Sequence, residues 1–168
     1  MCKIKIGLDI DDTLLDFAGE YLKIFKSFNN DYIITKNVNK LRLNKRFWEN
    51  LPKLRNIDFE PTLYCTKRIN PKSYTRSSLI KNGFPIKPIY QMYHQQGNKA
   101  TMIKGRVDVF IDDSISNFKM MNNSGVMCLL ITAEHNKNFK TNLRIDDLQY
   151  KTILNKYNEY KDNFNTVT

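Results

Sequence analysis

Two aspartates near the start of the chain have the spacing of a catalytic or metal-binding pair. Asp9 and Asp11 follow the stretch from Lys3 to Leu8, whose apolar residues alternate with a period of two and predict a β-strand. Side chains two residues apart in an extended chain point the same way, so both carboxylates can face one pocket. Carboxylates this close repel each other unless a cation lies between them or one holds a proton. The pair therefore indicates a Mg²⁺ site or a nucleophile beside an acid–base group.

The same segment also has a purely structural interpretation. The strand can lead into a helix whose N-terminus is capped by Asp12 or Thr13, with the other acids pointing into water. This segment alone leaves both interpretations open.

Polar residues also follow two later apolar stretches. The stretch from Thr62 to Cys65 predicts a strand that ends at Thr66, and the stretch from Val107 to Ile111 predicts one that ends at Asp112 and Asp113. Because ligands bind at the carboxyl ends of parallel strands, these side chains are expected to lie near the first acid pair. Three strand ends with oxygen ligands favour a functional site. The structural alternatives are a turn hydroxyl for Thr66 and a helix cap for Asp113.

The elements that must position these residues alternate between helix and strand. Helices are predicted over Leu14 to Phe28, Pro71 to Asn82, Asn98 to Lys104, Ser114 to Asn123 and Asp146 to Tyr160. Further strands are predicted over Ile86 to Tyr90, whose proline favours an edge position, and Val126 to Ile131. This pattern predicts the α/β class: a Rossmann-like three-layer α/β/α sandwich around a mostly parallel five-stranded sheet.

The stretch from Tyr32 to Leu54 is less regular than the rest of the chain. It contains a short helical candidate near Leu41 to Glu49, which carries Phe47 and the only tryptophan, Trp48. We interpret residues 18–58 as a small helical cap insertion. The chain, residues 1–168, has the length of a single domain.

Composition excludes several classes of protein. Hydrophobic residues make up 41% of the 168 residues, yet no apolar run is long enough to span a membrane and the N-terminus lacks the apolar region of a secretory signal. We therefore expect a cytoplasmic protein with no membrane partner. The three cysteines are odd in number and widely spaced, which predicts reduced thiols with no structural zinc site.

The net charge of +10 is unevenly distributed. Between Glu60 and Asp108 the chain has no acid, and the segment from Lys36 to Arg55 has Glu49 alone. Such a field attracts phosphates, on a small molecule or on a polynucleotide. For most of these positions we favour the simpler interpretation, a solvated lysine-rich surface.

Together, four segments resemble the four motifs of the haloacid dehalogenase (HAD) superfamily of phosphotransferases. They are LDIDDT at 8–13, LYCT at 63–66, Lys99, and VFIDD at 109–113, and the first has the form found in phosphatases of that superfamily. A closer resemblance is to its 5'(3')-deoxyribonucleotidase branch. That resemblance is carried by Asp16-Phe17, FWENLP at 47–52, the CTKR turn at 65–68 and the second acid pair.

The resemblance implies a role for each motif residue. Asp9 would be the nucleophile that becomes an aspartyl-phosphate, and Asp11 would protonate the leaving oxygen and then activate water. Mg²⁺ would be held by Asp9, the backbone carbonyl of Asp11 and Asp112, with Asp113 acting through water. By the same resemblance, Thr66 would donate a hydrogen bond to a phosphoryl oxygen and Lys99 would hold the developing negative charge.

Several of these assignments leave alternatives. Lys104 is the second candidate for the phosphate-stabilising lysine. The residues expected to contact the substrate are Thr66, Lys67, Arg68 and Phe17, although Arg68 could be a surface charge only. Phe17, Phe47 and Trp48 could stack on a nucleobase, or they could belong to the core. His94 and His135 fall outside the motifs and are expected in loops.

The function implied by the resemblance is Mg²⁺-dependent hydrolysis of a phosphomonoester, a nucleoside monophosphate above all. The alternatives are a phosphatase acting on a nucleic-acid end that carries a 3'-phosphate, and a HAD-fold binding protein without turnover. Only about fifty residues separate the first two motifs, and no helix is evident from Asn56 to Pro61. A reduced cap and a more open site are therefore expected, which weakens the specific nucleotide assignment.

Overall fold

Six parallel strands form the centre of the protein. In the computed structural model, which describes residues 3–27, 31–92 and 98–165, they are β1 (Ile6–Leu8), β2 (Leu63–Thr66), β3 (Ile89–Gln91), β4 (Val109–Asp112), β5 (Cys128–Ile131) and β6 (Arg144–Ile145). Their order in the sheet is β3-β2-β1-β4-β5-β6, and each neighbouring pair is parallel. The strand order reverses direction between β1 and β4.

Helices connect the strands and cover both faces of the sheet. They are α1 (Phe17–Phe25), α2 (Asp31–Leu41), α3 (Lys45–Glu49), α4 (Lys72–Lys81), α5 (Lys99–Ile103), α6 (Ile115–Asn123) and α7 (Tyr150–Asn165), with a 3₁₀ turn at Glu134–Asn136. Successive residues of a strand point to opposite faces of the sheet, so they pack into two different hydrophobic cores. Val109 and Ile111 join one cluster with residues of α4 and α7, whereas Phe110 joins the other with residues of α5 and α6.

The predicted fold class is confirmed, and the strand count is corrected. The protein belongs to the α/β class, and its sheet is parallel in all described pairings. The proline-flanked strand β3 lies at an edge of the sheet, as expected. It has six strands rather than five because β6 pairs beside β5. A two-residue strand beginning with an arginine has no apolar run by which a sequence pattern could detect it.

The first helix begins later than its apolar pattern suggests. Instead of continuing from Leu14, the chain makes a tight turn in which the Leu14 and Leu15 amides donate to the Ile10 carbonyl at 2.8 and 3.0 Å. Asp12 in this turn has φ of 57°. The helix starts after Asp16, whose side chain accepts a hydrogen bond from the Gly19 amide at 2.8 Å.

The predicted cap region contains one more helix than expected. The additional helix, α2, spans Asp31–Leu41, and the helical candidate at 41–49 is shorter than predicted and forms α3. As anticipated, no helix occurs from Asn56 to Pro61, a stretch that the structure describes throughout. α3 packs against α4, and Trp48 is 1% exposed and donates from Nε1 to the Leu41 carbonyl at 2.8 Å. This region is therefore anchored to the main body through α3.

None of the helices in the described ranges combines the length and apolar character needed to cross a bilayer. Cys65 and Cys128 are buried and free, and Cys2 lies outside the described residues.

Candidate active site

The residues singled out in the sequence meet at the carboxyl ends of the central strands. Asp9 directly follows β1, Thr66 ends β2 and Asp112 ends β4. β1 lies between β2 and β4, where the strand order reverses. In open parallel sheets the crevice at such a reversal is the usual place for a ligand.

Three buried carboxylates form the centre of the site. Asp9, Asp112 and Asp113 each offer one oxygen, and these oxygens all lie within 4.8 Å of one another. Their exposed fractions are 7%, 0% and 6%. Water therefore screens their mutual repulsion poorly, and the cluster needs positive charge.

Lys99 supplies one such charge. Its Nζ lies 2.7 Å from Asp9 Oδ1 and 2.7 Å from Asp112 Oδ2, and the residue is 1% exposed. It is the first residue of α5, whose N-cap Asn98 accepts from the Thr101 amide at 3.0 Å. Lys104, the second candidate, is exposed and donates to the Ser124 carbonyl, so it lies outside the cluster.

The protonation of Asp9 and Lys99 reflects this crowding. Burial raises the pKa of Asp9 well above its ordinary value; Lys99 opposes that change, and Asp112, Asp113 and Asp11 add to it. For Lys99, burial alone lowers the pKa, but Asp112 and Asp9 more than compensate and hold it above its ordinary value. Lys99 therefore stays positively charged here. One lysine does not fully offset the repulsion among the neighbouring carboxylates.

Asn117 holds Asp112 in place, a contact that sequence reasoning missed. Its Nδ2 donates to both Asp112 oxygens at 3.1 Å, and its Oδ1 accepts from Lys67 Nζ at 2.7 Å. The Ser114 amide donates to Asp112 Oδ1 at 2.9 Å. Asn117 lies in the first turn of α6, a few residues after Asp112 and Asp113. This short distance along the chain is the sequence feature that could have identified it. Lys67 itself is exposed, at the rim of the site.

Asp113 is oriented by residues of other loops. Thr13 Oγ1 donates to its Oδ1 at 3.1 Å, and His135 Nε2 lies 3.1 Å from its Oδ2. Asn136 Nδ2 donates to its backbone carbonyl at 2.7 Å. His135 was left outside the motifs and lies in the 3₁₀ turn, yet it contacts the acid cluster. His94 lies outside the described residues.

Asp11 is paired with Arg68 rather than with the buried lysine. Arg68 Nε lies 3.0 Å from each Asp11 oxygen, and its Nη2 lies 2.7 Å from Oδ1. The arginine side chain is fully buried, whereas that of Asp11 is 23% exposed. The guanidinium carbon lies 5.2 Å from the centre of the Trp48 ring. Arg68 Nη1 is buried with no hydrogen-bond partner among the described residues.

The remaining predicted site residues occupy distinct places. Thr66 is 1% exposed, and its Oγ1 accepts from the Arg68 amide at 3.2 Å; no described residue accepts the proton of its own hydroxyl. Phe17 is half-buried and stacks on Trp48 with ring centres 5.7 Å apart. Phe47 and Trp48 themselves belong to the core. Burial raises the pKa of the neighbouring Cys65 to about 12, which disfavours the reactive thiolate form.

An arginine fixes the turn after β1. Arg55 Nη1 donates to the carbonyls of Asp12 and Thr13 at 2.7 and 2.9 Å, and its Nη2 donates to the Thr132 carbonyl at 2.6 Å. Sequence reasoning did not identify Arg55. It joins the turn that carries both catalytic candidates to the end of β5.

The turn also contains an acid that makes stability depend on pH. Burial raises the pKa of Asp12 to about 7, from an ordinary value of 3.8. The folded state therefore binds a proton more tightly than the unfolded state, and stability decreases as pH rises from about 4 to about 7. We expect Asp12→Asn to reduce this slope and to stabilise the protein at neutral pH. The free energy of unfolding in urea, measured with EDTA across this pH range, checks the prediction.

Asparagine is a conservative replacement at position 12. It tolerates the positive φ and can still accept the hydrogen bond that the Ala18 amide donates to Asp12 at 2.8 Å. Glu60→Gln is the control, since pairing with Lys87 lowers the pKa of Glu60 and its contribution is lost only at more acidic pH. An unchanged slope in Asp12→Asn would contradict the assignment.

The donor set fits a hard divalent cation. Asp9, Asp112 and Asp113 provide oxygen donors only. Among the described residues Lys99 is the one buried cation in contact with this cluster, through Asp9 and Asp112. Three carboxylates opposite one ammonium leave an excess of negative charge in a buried place. Oxygen ligands and such an excess are what Mg²⁺ requires.

Comparison with known proteins adds no family assignment. The chain matches no protein-family model, and the search of curated proteins found no significant match.

Proposed function

We propose that this protein is a Mg²⁺-dependent phosphomonoester hydrolase of the HAD type, which works through an aspartyl-phosphate on Asp9. One observation carries the proposal: Asp9, Asp112 and Asp113 form one buried cluster at the ends of β1 and β4, and Lys99 contacts two of them, Asp9 and Asp112. Asp11, two residues beyond Asp9, is partly exposed, where a substrate could reach it.

In the first step, an oxygen of Asp9 attacks phosphorus while the bond from phosphorus to the ester oxygen breaks. The leaving alkoxide takes a proton from Asp11, and an alcohol departs. Lys99 and the Thr66 hydroxyl counter the negative charge of the phosphoryl oxygens. Bound Mg²⁺, held by Asp9, the Asp11 carbonyl, Asp112 and Asp113, would neutralise charge on the phosphoryl group.

In the second step, water attacks the phosphorus of the aspartyl-phosphate. Asp11, now ionised, accepts the proton of that water, and inorganic phosphate leaves as the Asp9 carboxylate is regenerated. Two easier displacements thus replace one hard displacement.

The substrate class we favour is a nucleoside monophosphate, by resemblance to the deoxyribonucleotidase branch. Phe17, directly before the cap segment, is half-buried and would be available to a base. Phe47 and Trp48, with exposed fractions of 9% and 1%, act instead as the support behind it.

A terminal phosphate on a nucleic acid is the second candidate, and it is favoured by the charge on the cap. Five exposed cations of this region have no ion pair with the described residues: Lys36, Lys40, Arg42, Lys45 and Arg46. Arg46 also lines a cavity of about 520 Å³, together with Asn44, Asn50 and one acid, Glu20. A polyanion would bind such a surface with strong salt dependence.

Phosphate release tests the proposal. We expect purified protein to release phosphate from p-nitrophenyl phosphate with Mg²⁺ and to stop when EDTA is added. Deoxynucleoside monophosphates and 3'-phosphorylated oligonucleotides, compared at two salt concentrations, distinguish the two substrate classes. Release from none of these compounds would favour a binding protein without turnover.

Mg²⁺ binding has a readout that is independent of turnover. Since the ion binds the folded site, saturating Mg²⁺ should stabilise the protein, by about 2.7 kcal/mol at 100 times its Kd. Asp112→Asn should lose this stabilisation. Asp146→Asn is the control. Asp146 also follows the carboxyl end of a strand, β6, but it is exposed and hydrogen-bonded to Thr132. Equal stabilisation of both variants would exclude the proposed ion site.

A further inference from the structure

We infer that Arg68 is a positioning residue for Asp11, and that the cap supports it through Trp48. This inference rests on the proposed function, in which Asp11 delivers a proton to the leaving group. It adds a residue that acts through the acid rather than on the phosphate.

The contact geometry supports a positioning role. Arg68 meets Asp11 with Nε and Nη2 together, at 3.0, 3.0 and 2.7 Å. This two-point contact fixes the plane of the carboxylate as well as its distance. Asp11 lies at the start of the turn after β1, and no other described side chain has a hydrogen bond to its carboxylate.

Burial makes Arg68 a rigid support. Its side chain is fully buried while Asp11 remains 23% exposed, so the arginine is the fixed partner and the acid faces the pocket. The Trp48 ring lies 5.2 Å from the guanidinium carbon, and Trp48 is held by its hydrogen bond to the Leu41 carbonyl at the end of α2. α2 and α3 of the cap are thereby connected to the acid through one arginine.

The arginine also has one nitrogen that pairs with no described residue. Nη1 is buried without a hydrogen-bond partner among the described residues. An unsatisfied buried donor destabilises a fold, and such groups call for a functional explanation. A requirement to hold Asp11 explains why an arginine occupies this position despite that cost.

A positioned acid matters most when the leaving group is a poor one. p-Nitrophenolate is stable as an anion and departs without a proton, whereas phenolate departs more easily when it is protonated. A variant with a misplaced acid should therefore lose more activity on phenyl phosphate than on p-nitrophenyl phosphate. A merely structural defect lowers both activities equally.

The experiment compares kcat/KM for these two esters with Mg²⁺. We expect Arg68→Lys, which keeps the charge but loses the two-point contact, to lose about ten times more activity on phenyl phosphate than on p-nitrophenyl phosphate. Both activities come from one preparation, so their ratio does not depend on the folded fraction. Asp11→Asn should change the ratio in the same direction, and adding Arg68→Lys to it should change the ratio no further.

Arg55→Lys is the matched control. Arg55 also supports the turn after β1, but through the Asp12 and Thr13 carbonyls, without contact to Asp11. Its loss of activity should be the same for both esters. An equal loss in Arg68→Lys, with a changed ratio in Asp11→Asn, would overturn the inference and leave the proposed function standing. A wild-type protein that hydrolyses neither ester would remove both.

Trp48→Leu tests the cap, and it is the second variant if Arg68→Lys does not fold. It removes the ring beneath the guanidinium and leaves the residues of the pair in place. We expect the same change in ratio, reduced to a few-fold. An unchanged ratio would overturn the role assigned to the cap.

Discussion

Replacement of Asp9 by asparagine is expected to lower phosphate release by about a thousandfold or more while the fold is retained. Asparagine has nearly the same size but no anionic oxygen for attack on phosphorus. Lys99 keeps its second partner, Asp112, at 2.7 Å, so the buried ammonium is not left unpaired. Steady-state hydrolysis of p-nitrophenyl phosphate measures the loss of turnover, and circular dichroism shows whether the fold is retained.

Asp108→Asn is the matched control for Asp9→Asn. Asp108 is an exposed aspartate just before β4, and it accepts a hydrogen bond from the Lys5 amide at 2.7 Å, away from the acid cluster. Its replacement should leave turnover within about twofold of wild type. Hydrolysis retained by Asp9→Asn would exclude the aspartyl-phosphate route.

Replacement of Lys99 by methionine is expected to destabilise the protein by about 3–5 kcal/mol at neutral pH. The substitution keeps the length of the side chain but removes the ammonium between Asp9 and Asp112, both of which are buried. Urea unfolding in EDTA measures the loss. The loss should shrink at acidic pH, because burial raises the pKa of Asp9 and its protonation removes part of the unpaired charge.

Lys104→Met separates this effect from a general loss of positive charge. Lys104 is exposed and donates to a carbonyl at the end of α6, so its replacement should change stability by less than about 0.5 kcal/mol. Equal effects of the two substitutions would show that Lys99 does not compensate the acid cluster.

The convergence of the acids could be predicted from the sequence because it follows from local rules. Each acid comes immediately after a short apolar stretch, and parallel strands present their carboxyl ends together. The placement of Lys99 at a helix start was also readable, since Asn98 is a typical N-cap residue. These features depend on neighbours within a few residues, which a sequence displays directly.

The supporting contacts could not be predicted because they join segments that are distant in the chain. Arg55 donates to carbonyls of the turn after β1, and His135, in the turn after β5, contacts Asp113. Arg68 forms a buried ion pair with Asp11 rather than extending into solvent. No periodicity marks such contacts. The helix α2 was missed for a different reason: Ile34, Val38 and Leu41 follow helical spacing, but its Lys and Asn residues make the segment as a whole weakly hydrophobic.

The parallel pairing of β1 with both β2 and β4 has a consequence for the order of folding. No hairpin can join these strands, so each pairing requires the closure of a long intervening segment. Asp9 and Asp112 therefore meet only when β1 pairs with β4, and their mutual repulsion opposes that pairing. A divalent ion that binds the paired strands and not the unfolded chain would offset this repulsion and stabilise the native state.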